Sequence, residues 1–150
     1  MNFINGLLNN TILISAVTGW LVAQILKTLI HLFLTKEFVA ERLVGDGGMP
    51  SCHSATVCAL TTSVAIQAGP GSAEFAIALI LSIIVMHDAM GVRWETGMQA
   101  KVLNEMLKLF EDMGSDMPAQ DKLKEFVGHT PLQVLIGSIL GIVIALIINL

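Results

Sequence analysis

Four histidines, His31, His53, His87 and His129, stand out in a 150-residue chain that is only 13% charged. Imidazole titrates near neutrality, so it can serve as nucleophile, general acid or general base without a large shift. Two of the four lie in segments suited to an anion. In Gly47-Gly48-Met49-Pro50-Ser51-Cys52-His53-Ser54, two glycines allow tight backbone and Pro50 suits a first helical position. The amides of Ser51, Cys52 and their neighbours then point outward, backed by the positive end of a helix dipole, a geometry that binds phosphate. Gly128-His129-Thr130-Pro131-Leu132-Gln133-Val134 repeats the theme, with His129 just ahead of a Pro-started helix. Both segments equally suit ordinary capped helix starts that happen to contain a histidine.

Other polar residues fit the same chemistry. Arg93 offers a permanent, fork-shaped cation matched to phosphoryl oxygens, or a simple membrane-edge anchor. Gln24, Lys27 and His31 fall on one helix face, and Lys27 lies roughly 12 Å inside an apolar segment at about 1.5 Å per residue. Three polar groups on one stripe point to an inward-facing cavity, although a lysine by itself can snorkel. Asp88 could orient a histidine, pair with Arg93 or Lys27, or bind a metal. No second carboxylate shares its helix face, so the expectation is no metal and no cofactor.

The elements that position these residues are membrane helices. The chain is 54% hydrophobic, its mean hydropathy is +0.75, and its charged fraction is about half that of a soluble domain. Apolar segments run from about Thr11 to Leu34, Cys52 to about Ala68, Ala73 to Met90 and Leu132 to Leu150. About 20 residues cross the hydrocarbon core. The second segment is short and rich in Ser and Thr, which suggests burial inside the bundle. Between the third and fourth, Met98, Val102, Met106, Leu109 and Phe110 recur at helical spacing opposite Lys101, Glu105, Lys108 and Asp112. That pattern is an amphipathic helix on the membrane face, broken over 114–120 and followed by a short helix at 121–127. The expected fold is all-α: one domain over 1–150, with about four transmembrane helices plus the amphipathic one.

Such a topology puts loops 35–51 and 91–131 on one face, with the Gly69-Pro70-Gly71-Ser72 turn on the other. Lys27, Lys36, Arg42, Arg93, Lys101, Lys108, Lys122 and Lys124, which are all the Lys and Arg residues, fall on or near the first face. By the positive-inside tendency that face is cytoplasmic, in a bacterial plasma membrane. The same reversals gather His53, His87 and His129 at one end. Cys52 and Cys58, six apart on one helix, cannot form a disulfide with each other. No basic stripe with interleaved aromatics marks a nucleic-acid surface.

Gly-Gly-Met-Pro-Ser-Cys-His-Ser (47–54), Asp-Ala-Met-Gly-Val-Arg (88–93) and Gly-His-Thr-Pro-Leu-Gln-Val (128–134) resemble the divergent branch of the type 2 phosphatidic acid phosphatase family. Ala-Gln-Ile-Leu-Lys (23–27) and Gln-Ala-Lys-Val-Leu-Asn (99–104) extend the resemblance over nearly the whole chain. The wider family is related to vanadium-dependent haloperoxidases. The resemblance implies a Pro-Ser-x-His motif at Pro50 to His53, with His53 the acid and the amides of Gly48, Ser51 and Cys52 holding phosphate. It makes His129 the nucleophile of a His-x-Pro-x-Asp-Val motif, and Arg93 and Lys27 the phosphate-binding cations. Gln133 stands where the motif has aspartate, Val92 where a serine usually precedes the arginine, and Asp88 is a candidate substitute support.

The expected function is metal-independent hydrolysis of a lipid phosphate monoester through a phosphohistidine. The alternative is a non-catalytic lipid-phosphate binder or transporter using the same anion site. A homodimer would complete a bundle smaller than the family's usual core.

Overall fold

The computed structural model describes residues 3–36, 48–113, 123 and 128–150. The expected helix at 121–127, apart from Leu123, lies outside the described residues, as do the break at 114–120, Gly47, Arg42, Lys122 and Lys124. The described elements are all helical: α1 (Phe3–Leu8), α2 (Thr11–Thr35), α3 (Cys52–Ala68), α4 (Ala73–Met90), α5 (Val92–Asp112) and α6 (Pro131–Asn149). The long helices follow the apolar segments closely, whereas the short α1 was not expected.

Side-chain caps set most of the helix starts, because the first-turn amides have no partner within the helix. Asn10 Oδ1 accepts from Leu13 N at 3.0 Å, and Ser72 Oγ accepts from Phe75 N at 3.1 Å. Thr130 and Gln133 form a reciprocal capping box at α6, with Pro131 in the first turn. Pro50 does not take the corresponding place at α3. Ser51 is the cap residue there, and Pro50, joined to Met49 by a cis peptide bond, precedes it.

Three described stretches are long and apolar enough to cross a membrane: Thr11–Thr35, Ala73–Phe110 and Pro131–Asn149. α3, with 17 residues, is not among them. Its surroundings explain the difference. It packs against α2, α4 and α6, so protein rather than lipid covers most of its surface, and apolar bulk is not required. Its buried residues are mostly small or hydroxylic: Cys52, Ser54, Ala55, Ala59, Thr61 and Ser63.

Small residues let the backbones approach. Gly137, Gly141 and Ala145 recur at one-turn intervals along α6 and are all buried. A Cβ at Gly137 would run into Ser51 backbone, and one at Gly141 into the Ala55 carbonyl. From the other side, a Cβ on Gly19 of α2 would lie 2.9 Å from that same Ala55 oxygen. Hydroxyls are satisfied locally. Thr61 Oγ1 and Ser82 Oγ lie 2.6 Å apart, and Ser82 Oγ also donates to the Val57 carbonyl at 3.0 Å.

At the far end, Asn149 Nδ2 donates to Ser15 and Ser63 Oγ, while its Oδ1 accepts from Ser63 and Gln67. This ties α2, α3 and α6 together opposite the histidines. α5 leaves α4 directly at Gly91. Its apolar residues Met98, Val102, Met106 and Leu109 are exposed, as a face meeting lipid headgroups would be. Asn104 clasps Leu123 in both directions, at 2.9 and 3.0 Å.

Replacing Gly141 with Leu should push α6 off α3, because the obstacle is rigid backbone. The expected loss is at least about 2 kcal/mol, read as an earlier thermal transition of the purified protein in detergent. A Leu at Gly71, where nothing lies within 4 Å, should leave that transition almost unmoved.

Candidate functional site

The site begins with the paired starts of α3 and α6. Ser51 N donates to the Gln133 carbonyl at 3.1 Å, in the space left by Gly137. Ser51, whose amide is expected to help hold phosphate, spends that N–H on the Gln133 carbonyl, and its fully buried side chain accepts from Ser54 N and Ser54 Oγ. Ser51 therefore fixes the helix start and leaves any anion contact to other backbone amides. On the other side, His129 N donates to the Ala89 carbonyl at 2.9 Å, one of the carbonyls left open at the end of α4. Gly128 has φ +88, and a Cβ there would strike the backbone of Arg93 and Trp94. The segment before α6 is thus pressed between the end of α4 and the start of α5.

This framework brings His53 and His129 together, 76 residues apart in sequence. Their rings meet edge to face with centroids 5.6 Å apart, and His53 Nδ1 lies 3.4 Å from His129 Nε2. His129 is 1% exposed, whereas His53 is half-buried.

Gln133 sets the His129 tautomer. Its Oε1 accepts from Thr130 N at 3.1 Å to complete the capping box. An atom that accepts a backbone N–H must be the amide oxygen, which removes the usual ambiguity of the side chain. The same oxygen lies 3.3 Å from His129 Nδ1. Carbonyl oxygen only accepts, so Nδ1 bears the proton and Nε2 keeps its lone pair facing His53. Gln133 fills the orienting place that aspartate holds in the resembling motif.

The remaining candidates divide. Gln24 and Lys27 are buried at 4% and 2% exposure, and Lys27 is close enough to act electrostatically on His129. The Gly48 backbone lies close enough to His129 to favour its protonated form. His31, expected on the same face as Lys27, bonds Thr35 of its own helix at 3.0 Å. His87 is exposed and does not join the cluster. Arg93 adjoins Gly128 through its backbone, while its Nε donates to Asp88 Oδ2 at 3.1 Å. Both of those side chains are well exposed, at 40% and 46%. Asp88 thus spends its carboxylate on Arg93, and the His129 Nδ1 position belongs to Gln133. Cys52 Sγ lies 3.9 Å from His53 Nδ1, a third reactive atom at the histidine pair beyond the backbone amide expected of Cys52.

Comparison with known proteins agrees with the architecture. Residues 8–144 match the model of the Divergent PAP2 family. The chain is 37% identical to the uncharacterized membrane protein YuiD of Bacillus subtilis (strain 168), over 95% of this chain and 96% of that one. No solved structure matches. The relative's description and the apolar helices together make this an integral membrane protein.

Burial pushes the His129 pKa below its usual 6.5, and the nearby positive groups His53 and Lys27 push the same way. The Gln133 hydrogen bond and the Gly48 backbone oppose them in part. Folded His129 therefore resists a proton that the unfolded chain accepts. Its contribution to stability is full above about pH 6.5 and declines as pH falls from there toward the folded pKa. Thermal unfolding at about pH 7.5 and about pH 5.5 should show a larger acid loss for the wild type than for His129→Gln.

Proposed function

The chain belongs to the Divergent PAP2 family, and from that premise we propose that it is a membrane phosphatase acting on a lipid phosphate monoester through a phosphohistidine. The observation behind this reading is the His53–His129 pair, with the unprotonated Nε2 of His129 at its centre. In the first step that lone pair attacks phosphorus while the bond to the lipid oxygen breaks. His53 gives a proton to the leaving oxygen. Water then attacks phosphorus, the P–N bond breaks, and His53 takes back a proton. Lys27, Arg93 and the amides at the start of α3 offset the charge that builds on the phosphoryl oxygens.

The rings, 3.4 Å apart at their nearest nitrogens, must part to admit a phosphoryl group. Half-buried His53 is the one with room to move. A site at the end of a membrane bundle suits a substrate whose tail stays in the bilayer. The lysine and arginine bias toward this end supports a cytoplasmic orientation in a bacterial plasma membrane.

A second reading, a lipid-phosphate binder without turnover, is favoured by Gln133. A neutral amide positions an imidazole but stabilises imidazolium less than a carboxylate does.

Purified protein given phosphatidic acid should release phosphate without added magnesium, be inhibited by vanadate, and accumulate an acid-labile phosphoprotein. His129→Ala should lower the rate by at least about a thousandfold. Magnesium-dependent release that survives His129→Ala would exclude the mechanism; headgroup binding with no release would favour the second reading. Gln133→Glu preserves the capping box and supplies the missing carboxylate. It should raise the turnover number by at least about tenfold and shift the acid limb of the pH–rate profile.

A further inference from the structure

Three potential ligand atoms converge at the same helix starts: Cys52 Sγ and one ring nitrogen each of His53 and His129 all lie within 4.8 Å of one another. Sulfur is 3.9 Å from His53 Nδ1, and the two nitrogens are 3.4 Å apart. In a tetrahedral zinc shell, bonds of about 2.3 Å to sulfur and about 2.05 Å to nitrogen separate adjacent ligands by roughly 3.6 Å for S and N and roughly 3.3 Å for two nitrogens. The observed spacings are within a few tenths of an ångström of both. A phosphoryl group requires the rings to separate, whereas a metal ion between these atoms requires only small side-chain adjustments.

We propose that Cys52, His53 and His129 form a binding site for Zn2+, with the fourth coordination position open. One thiolate and two imidazoles favour zinc over magnesium or calcium, which take oxygen ligands. His129 is already set for the task. Its Nδ1–H is held by Gln133 Oε1, itself fixed by the Thr130 amide, which is the outer support that metal-binding histidines generally have. His53 coordinates through Nδ1 with its proton on Nε2. Cys52 loses its thiol proton to solvent as the Zn–S bond forms, so binding releases one proton. The zinc–thiolate pair retains one positive charge beside Lys27 and two helix N-termini, and the fourth position therefore favours an anion such as hydroxide or phosphate.

Zinc occupies the Nε2 lone pair on which histidine attack depends. The metal-loaded protein has no nucleophile, and metal binding and phosphohistidine formation are alternative states of one site. The binding claim does not rest on the phosphatase reading; only this exclusion does.

The test is titration of the reduced, detergent-purified full chain with Co2+ and then Zn2+. One Co2+ per chain should bind with intense tetrahedral absorption and a sulfur-to-metal charge-transfer band, and Zn2+ should displace it. Cys52→Ser should abolish the charge-transfer band, His53→Ala should weaken Zn2+ binding by at least about tenfold, and Cys58→Ser should retain the band. X-ray absorption at the zinc edge of the wild type, which needs no variant, should show one sulfur and two imidazole nitrogens. A pale octahedral Co2+ spectrum, a charge-transfer band that persists in Cys52→Ser, or a zinc shell without sulfur would overturn the site. Phosphate release that rises with zinc occupancy would overturn the exclusion. Zinc binding by a protein whose metal-free form releases no phosphate leaves the site standing and removes the phosphatase; phosphate release by a protein that binds no zinc does the reverse.

Discussion

The backbones of α3 and α6 approach so closely that no side chain fits between them at Gly137 or Gly141. Lipid tails are as apolar as leucine, so membrane helices associate through close packing and hydrogen bonds rather than through loss of apolar surface to water. Here small residues supply that packing, and the approach has a chemical consequence. It sets the two helix starts side by side, so the amides of one, the cap of the other and both imidazoles share one small volume. A wider crossing would leave two separate capped helices, each with a histidine of no particular significance.

Gln133 joins the structural role to the chemical one. Its carbonyl receives Ser51 N and its side-chain oxygen receives Thr130 N and faces His129 Nδ1. Helix registration, capping and tautomer choice thus depend on one residue. The cost of its neutrality falls on charge stabilisation alone, since an amide orients a ring as firmly as a carboxylate.

The electrostatic setting is predominantly positive. Buried Lys27 and two helix N-termini favour an anion. Asp88 offsets Arg93 at the exposed rim, where an ion pair contributes little to stability. The neutral, proton-resistant state of His129 follows from the same surroundings, because burial and its cationic neighbours both penalise a further positive charge. An imidazole kept neutral keeps a lone pair available, as both states proposed for the site require.

Apolar length and polar punctuation in the sequence were enough to locate four long helices to within a residue or two, and the motifs around His53 and His129 identified the pair that meets. These features are legible because they are local: a run of lipid-compatible side chains, a cap residue, a proline at a helix start. Tertiary structure decided the rest. Pro50 gave up the helix start to Ser51, Ser51 turned its hydroxyl to capping, His31 bonded within its own helix, and Asp88 went to Arg93. Whether Cys52 belonged to the site depended on a sulfur-to-nitrogen distance. No spacing along a single chain fixes such distances, because they arise where three helices cross and small residues let them close.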